Sequence, residues 1–140
     1  MLASLKSEEN VSVITLDDGK VNAFSPAMIT EVQSLLDQVP TDSGALMFTG
    51  REGMFTAGFD LKVMMSDPSA ATQMVKTGFQ MLQRIFSFPR PVVSACSGHA
   101  IAMGAFLLCS SDYRIASKGD YKVGANELRN NMIIPTPILE

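Results

Sequence analysis

Residues 45–62 read ALMFTGREGMFTAGFDLK. The opening part, Ala45 to Thr49, is a continuous apolar run bounded by Gly44 and Gly50, which suits a short strand buried on both faces. The remainder, Gly50 to Lys62, turns through glycines as a loop should, yet places Phe59 where a loop residue is ordinarily polar. Upstream, Val11 to Leu16 is a β-branched run ended by the turn chemistry of Asp17-Asp18-Gly19-Lys20. Between the two strands, Ser25-Pro26 reads as an N-cap followed by proline at the first helical position, and Met28, Ile29, Val32, Leu35, Leu36 and Val39 follow at helical spacing. Strand, helix, strand implies a right-handed crossover and a parallel pair. Downstream the unit repeats: Ala71 to Phe86 carries Met74, Val75, Leu82, Ile85 and Phe86 as a helical stripe, Pro89-Arg90-Pro91 stops it, and Val92 to Ala95 is the next strand. Met103 to Ser110 makes a further short helix and Tyr113 to Ala116 a further strand. The class is α/β, in one domain spanning residues 1–140.

Composition bounds the function. Of 140 residues, 46% are hydrophobic and 18% charged, a balance that supports a buried core. With a net charge of −3 and scattered Lys and Arg, no basic stripe marks a nucleic-acid partner. No apolar run approaches the roughly 20 residues of a membrane span, and the start MLASLKSEEN has no secretory apolar core, so the expected setting is the cytoplasm. Cys96 and Cys109 show no metal-ligand spacing and read as packing residues.

In open α/β sheets the chemistry gathers in the loops that follow the strands. Two such loops carry glycine, Gly50 to Lys62 and Cys96 to Ala105, at equivalent places in consecutive units. Neither matches a phosphate-binding glycine motif. Both set small residues beside backbone N–H groups, in Ala57-Gly58-Phe59 and in Ala102-Met103-Gly104 at a helix start. Such loops serve close packing or, facing one another, bracket a developing oxyanion. Spacing alone leaves both readings open.

Three segments add to this: VNAFSPAM (residues 21–28), GMFTAGFDLKVM (53–64) and PRPVVSACSGHAIAMGAFLLCSSDYRIAS (89–117). In order and spacing they resemble the enoyl-CoA hydratase/isomerase family, the crotonase superfamily. The resemblance implies a spiral of ββα units in place of a plain doubly wound sheet. It also implies an acyl-CoA thioester substrate, coenzyme A entering only as part of that substrate and no separate cofactor. It assigns the oxyanion donors to the N–H groups of Phe59 and Met103, with Gly104 beside the second; many members have glycine where Met103 stands, and its bulk either narrows the pocket or belongs to it. Coenzyme A is placed along Lys20, Val21, Asn22 and Ala23 and along Ala57, Asp60, Leu61 and Lys62. Lys20 and Lys62 either face phosphates or are solvated surface lysines. On this view the apolar loop shields the oxyanion hole from water.

Hydratases of the family use two glutamates. The first position falls on Phe106, which cannot transfer a proton, and the second on Glu127 in VGANELRNNMIIP (123–135). An apolar neighbourhood would raise the pKa of a carboxyl there by desolvation, which suits a base working near neutral pH. A single glutamate resembles the Δ3,Δ2-enoyl-CoA isomerase branch, in which one carboxylate moves a proton from C2 to C4; the alternatives are an enoyl-CoA hydratase or acyl-CoA hydrolase of the same family, or a non-catalytic acyl-CoA binder. His99, the only histidine, reads as a structural hydrogen-bonding residue. Family members continue well past the position of Glu140 and assemble as trimers or hexamers. Here Thr136-Pro137 reads as a helix start with three residues after it, which implies a C-terminally truncated chain or a fragment.

Overall fold

The computed structural model describes residues 1–125. Glu127 and the Thr136-Pro137 helix start lie outside them. The chain opens with a hairpin, β1 (Ala3–Glu8) and β2 (Val11–Leu16), antiparallel in the register Ala3 to Leu16 through Glu8 to Val11. Sequence periodicity does not reveal β1, because ASLKSE is an edge strand: Ala3 is buried, Leu5 is half-buried, and the charged Lys6 and Glu8 face solvent. The crossover helix α1 (Pro26–Leu36) starts where the Ser25-Pro26 signal places it, with the Ser25 side chain accepting from the Met28 N–H at 3.2 Å. It leads to β3 (Ala45–Gly50), parallel to β2 in the register Val11 to Ala45.

The loops expected from sequence contain more order than their composition suggests. Gly53–Thr56 is a strand, β4, and Asp60 caps a short helix, α2 (Leu61–Ser66). A second cap, Asp67, with Pro68 at the first helical position, starts α3 (Pro68–Phe86) three residues before the expected point. Then β5 (Val92–Cys96) is followed at once by β6 (Gly98–Ile101), α4 (Met103–Cys109), β7 (Tyr113–Ala116) and β8 (Val123–Gly124). The first unit therefore supplies both strands of its hairpin to a five-stranded sheet ordered β1-β2-β3-β5-β7, and each later unit supplies one strand to that sheet and a second to a three-stranded parallel sheet ordered β4-β6-β8. The arrangement is a crotonase-type repetition of ββα units. The short second strands escape periodicity because four residues such as GMFT and GHAI show no alternation to read.

One core holds the layers together. Ile14, Leu16, Leu46, Phe48 and Val92 from the larger sheet meet Met28, Ile29, Val32 and Leu36 of α1 and Met74, Met81, Leu82 and Ile85 of α3. Burying each such side chain contributes about 1.5–3 kcal/mol. Three expectations are corrected. β3 alternates instead of being buried on both faces, with Leu46 and Phe48 inward and Met47 half-buried. Phe86, read as part of the α3 stripe, is 75% exposed: it falls about 100° round from Ile85 and off the face defined by Met74, Gly78, Met81 and Ile85. Cys109, read as a packing residue, is exposed, whereas Cys96 is buried and its thiol lies 3.1 Å from the Gly98 carbonyl. Burial pushes the Cys96 pKa up.

Candidate active site

β4 ends at Thr56, and its buried hydroxyl ties two loops together. Thr56 Oγ1 donates to the Asn22 carbonyl at 2.6 Å and accepts the Gly58 N–H at 3.1 Å. Asn22 is itself fully buried with φ 54°, and its side chain donates to the Leu16 and Phe55 carbonyls at 2.8 and 3.1 Å while accepting from Asp18 N–H at 3.0 Å. The loop before it is gathered by the Asp18 carboxylate, which accepts from the N–H groups of Lys20, Asn22 and Ala23 at 2.7, 2.9 and 3.2 Å. Burial alone would raise the Asp18 pKa, but these donors and the nearby Arg51 charge outweigh it and hold the pKa below the usual carboxylate value. In the sequence Asp18 is marked only as a turn residue, and its organising role is not visible there; the Asp18-to-Asn22 spacing, two Asx residues in a tight loop, is the signal that could have found it.

The two expected coenzyme-A segments lie side by side. Ala57 N–H donates to the Val21 carbonyl at 2.9 Å, Phe24 N–H to the Gly58 carbonyl at 2.8 Å, and Asp60 N–H to the Phe24 carbonyl at 3.3 Å, forming a parallel bridge between Phe24 and Phe59. Lys20, Val21 and Ala23 are thereby brought beside Ala57 and Asp60. The side chains of Lys20 and Lys62 are exposed, and Arg51 donates to the Lys20 carbonyl. Asp60 Oδ1 accepts the Lys62 N–H at 2.8 Å, so the Asp60 side chain caps α2, where Leu61 is 64% exposed.

The bridge does not use every amide of the loop. Of the successive N–H groups at residues 57 to 60, those of Ala57, Gly58 and Asp60 have acceptors, and that of Phe59 has none among the described residues. In a parallel bridge the central residue directs its own N–H away from its partner strand, here away from Phe24. β4, which leads into this bridge, pairs with β6, and β6 runs on into Ala102 and Met103. There the helix α4 begins after Ala102, held at φ 51° and ψ −117°, and no side chain among the described residues caps it. Ala102 N–H donates to the Gly124 carbonyl at 3.0 Å and the Ala102 carbonyl accepts from Ala105 and Phe106, while the N–H groups of Met103 and Gly104 have no acceptor among the described residues.

Gly58 joins the two loops. At φ 89° it adopts a backbone that L side chains rarely reach, and a Cβ there would stand 2.8 Å from the Ile101 carbonyl oxygen, 2.9 Å from Ala102 Cβ and 3.3 Å from Met103 N. The Phe59 peptide unit and the first turn of α4 are thus neighbours. The apolar character of the loop also has a direct cause: the Phe59 ring packs onto α3 at Gly78, 6.2 Å from the Phe79 ring, which lies 6.1 Å from that of Phe106. Met103 is fully buried in the same cluster, its methyl group also at Gly78.

The second half of the long motif is scaffolding for this site. Asp112 Oδ2 accepts the Val92 N–H at 2.7 Å, Ser94 and Ser111 share a 2.7 Å hydrogen bond, and the Arg114 guanidinium donates to the Leu108 and Ser111 carbonyls at the end of α4. His99 is occupied as well, its Nδ1 accepting from Lys122 N–H at 2.9 Å with Tyr121 edge-on at 5.4 Å. Glu127 lies outside the described residues. Among those residues, no helix is long and apolar enough to cross a membrane.

Fold and paired loops define a crotonase-type protein. An enoyl-CoA hydratase/isomerase family profile matches residues 6–135, and the chain belongs to that family. It is 35% identical over 136 residues to a probable enoyl-CoA hydratase of Bacillus subtilis, covering 94% of this chain and 52% of that protein. It superposes on a Mycobacterium tuberculosis protein described in one structure as an enoyl-CoA isomerase, with a TM-score of 0.91 at 43% identity covering 99% of this chain and 60% of that one, and in another as a probable enoyl-CoA hydratase, with a TM-score of 0.93 at 42% identity covering 99% and 59%. Human mitochondrial Δ3,Δ2-enoyl-CoA isomerase gives a TM-score of 0.90 at 26% identity, covering 100% and 58%. The chain spans about half the length of the curated relatives it matches.

Proposed function

We propose that the protein carrying this chain binds an enoyl-CoA thioester and shifts its double bond from C3–C4 to C2–C3. The observation that carries the reading is the pair of main-chain N–H groups, at Phe59 and Met103, left without acceptors among the described residues on two loops that touch through Gly58. Removing the C2 proton of a 3-enoyl thioester sends negative charge onto the thioester oxygen. Two amide donors stabilise that dienolate, each by about 3 kcal/mol on the loss typical of deleting one donor. Glu127 takes the C2 proton and returns it at C4, so proton and charge balance with no other reactant. Coenzyme A runs along Lys20 to Ala23 and Ala57 to Lys62, held largely by main-chain atoms.

Hydration is the second reading, favoured by the hydratase description of the Bacillus subtilis relative. It requires a further group to activate water, and at the first glutamate position this chain has Phe106, buried beside Phe79. Isomerisation needs only one carboxylate. Incubation with a 3-enoyl-CoA in deuterated water separates the readings: double-bond shift with deuterium at C4, abolished by Glu127→Gln, is expected. Water addition to a 2-enoyl-CoA, or unchanged exchange in Glu127→Gln, contradicts the isomerase assignment, and tight binding without turnover identifies an acyl-CoA binder. A homo-oligomer, trimer or hexamer, acting in the cytoplasm belongs to the same reading, and sedimentation of the purified chain tests its assembly.

A further inference from the structure

Glycine is a poor choice for the middle of a 19-residue helix, where it destabilises relative to alanine, yet Gly78 occupies the buried face of α3. The reason lies in its neighbours. A Cβ at residue 78 would stand 2.5 and 2.7 Å from Cε1 and Cζ of the Phe59 ring and 3.1 Å from the Met103 methyl carbon. The two residues whose amides the proposed function uses therefore insert their side chains into one notch on one helix.

We infer that Gly78 is a positioning residue: by omitting a side chain it lets Phe59 and Met103 seat together, and this common seat fixes the relative placement of their two N–H groups. The inference rests on the oxyanion reading of the proposed function. Phe79 and Phe106 back the cluster, so a displaced Phe59 ring has apolar neighbours on that side and transmits its movement to the main chain. A displacement of about 1 Å in a catalytic group is enough to lower turnover on the order of 100-fold.

Gly78→Ala supplies the better helix former while filling the notch. The expected result is a folded protein that retains acyl-CoA affinity, loses at least about tenfold in kcat with little change in KM, and polarises a bound thioester less. Polarisation is read directly as the infrared shift of the carbonyl band of bound butyryl-CoA, which does not turn over. Gly78→Ala combined with Phe59→Leu, which removes the ring atoms the new Cβ would strike, is expected to recover most of the shift. If the unsubstituted protein binds butyryl-CoA with no carbonyl shift, the oxyanion reading falls and takes this inference with it. If it shows the shift and Gly78→Ala shows the same one, only the role of Gly78 is overturned. Should Gly78→Ala not fold, Phe59→Ala empties the notch instead; a shift equal to that of the unsubstituted protein then contradicts the inference.

Discussion

Gly58 and Ala102 meet across the gap between the two loops, and both hold a positive φ. Gly58 at φ 89° has the Ile101 carbonyl where a side chain would go, so Gly58→Ala is expected to lower stability by about 1–3 kcal/mol and turnover with it, measured by thermal melting and by the double-bond-shift assay. Ala102 is an L residue held at φ 51° and ψ −117°, a region that glycine enters freely. Ala102→Gly is expected to raise stability by about 1 kcal/mol in the same melt, because the relief of strain exceeds the added freedom of the unfolded chain. Both residues stand in motifs legible from the sequence, but their positive φ is not: Ala102 carries no turn signal, and its conformation depends on the Ala102–Gly124 hydrogen bond and the start of α4.

At the scale of elements, legibility in the sequence depends on length and on a capping signal. α1 is readable to the residue at its start because Ser25, Pro26 and an apolar stripe coincide. β4, β6 and α2 are unreadable because they span four to six residues and draw their order from neighbours. The Lys20–Ala23 loop belongs to this scale too, since Asp18 holds it as a unit through three N–H groups. With the Asp18 pKa depressed in the folded state, the unfolded chain binds the proton first as pH falls. The contribution is therefore whole above the ordinary aspartate value of about 4 and is lost progressively below it. Thermal melts between about pH 6 and 3 should show a steeper loss for the unsubstituted chain than for Asp18→Asn. The ion pair of Arg84 with Asp37 at 2.7 Å, which ties α3 to the end of α1, is largely exposed, and Asp37→Asn is expected to change stability by no more than about 1 kcal/mol in denaturant titration.

For the whole molecule, α/β class and the succession of the main strands along the chain are legible from periodicity, whereas the ββα repetition comes only from the resemblance carried by the three motifs and the division into two sheets only from the structure. The motifs also locate the candidate site: the structure sets Lys20 to Ala23 beside Ala57 to Asp60 and Gly58 against Met103. It adds Thr56, Asp18 and Gly78 and makes Asn22 a buried link between loops, parts that depend on contacts between residues roughly 20 to 40 positions apart or on a tight loop that composition does not flag. The central claim concerns two amides and one carbonyl oxygen. It is tested most directly by following the amide proton resonances of Phe59 and Met103 while adding butyryl-CoA, and then its thioether analogue, which lacks that oxygen. Downfield movement of both resonances with the thioester and of neither with the thioether is the predicted result; resonances that stay in place with both ligands, or move equally with both, would contradict it.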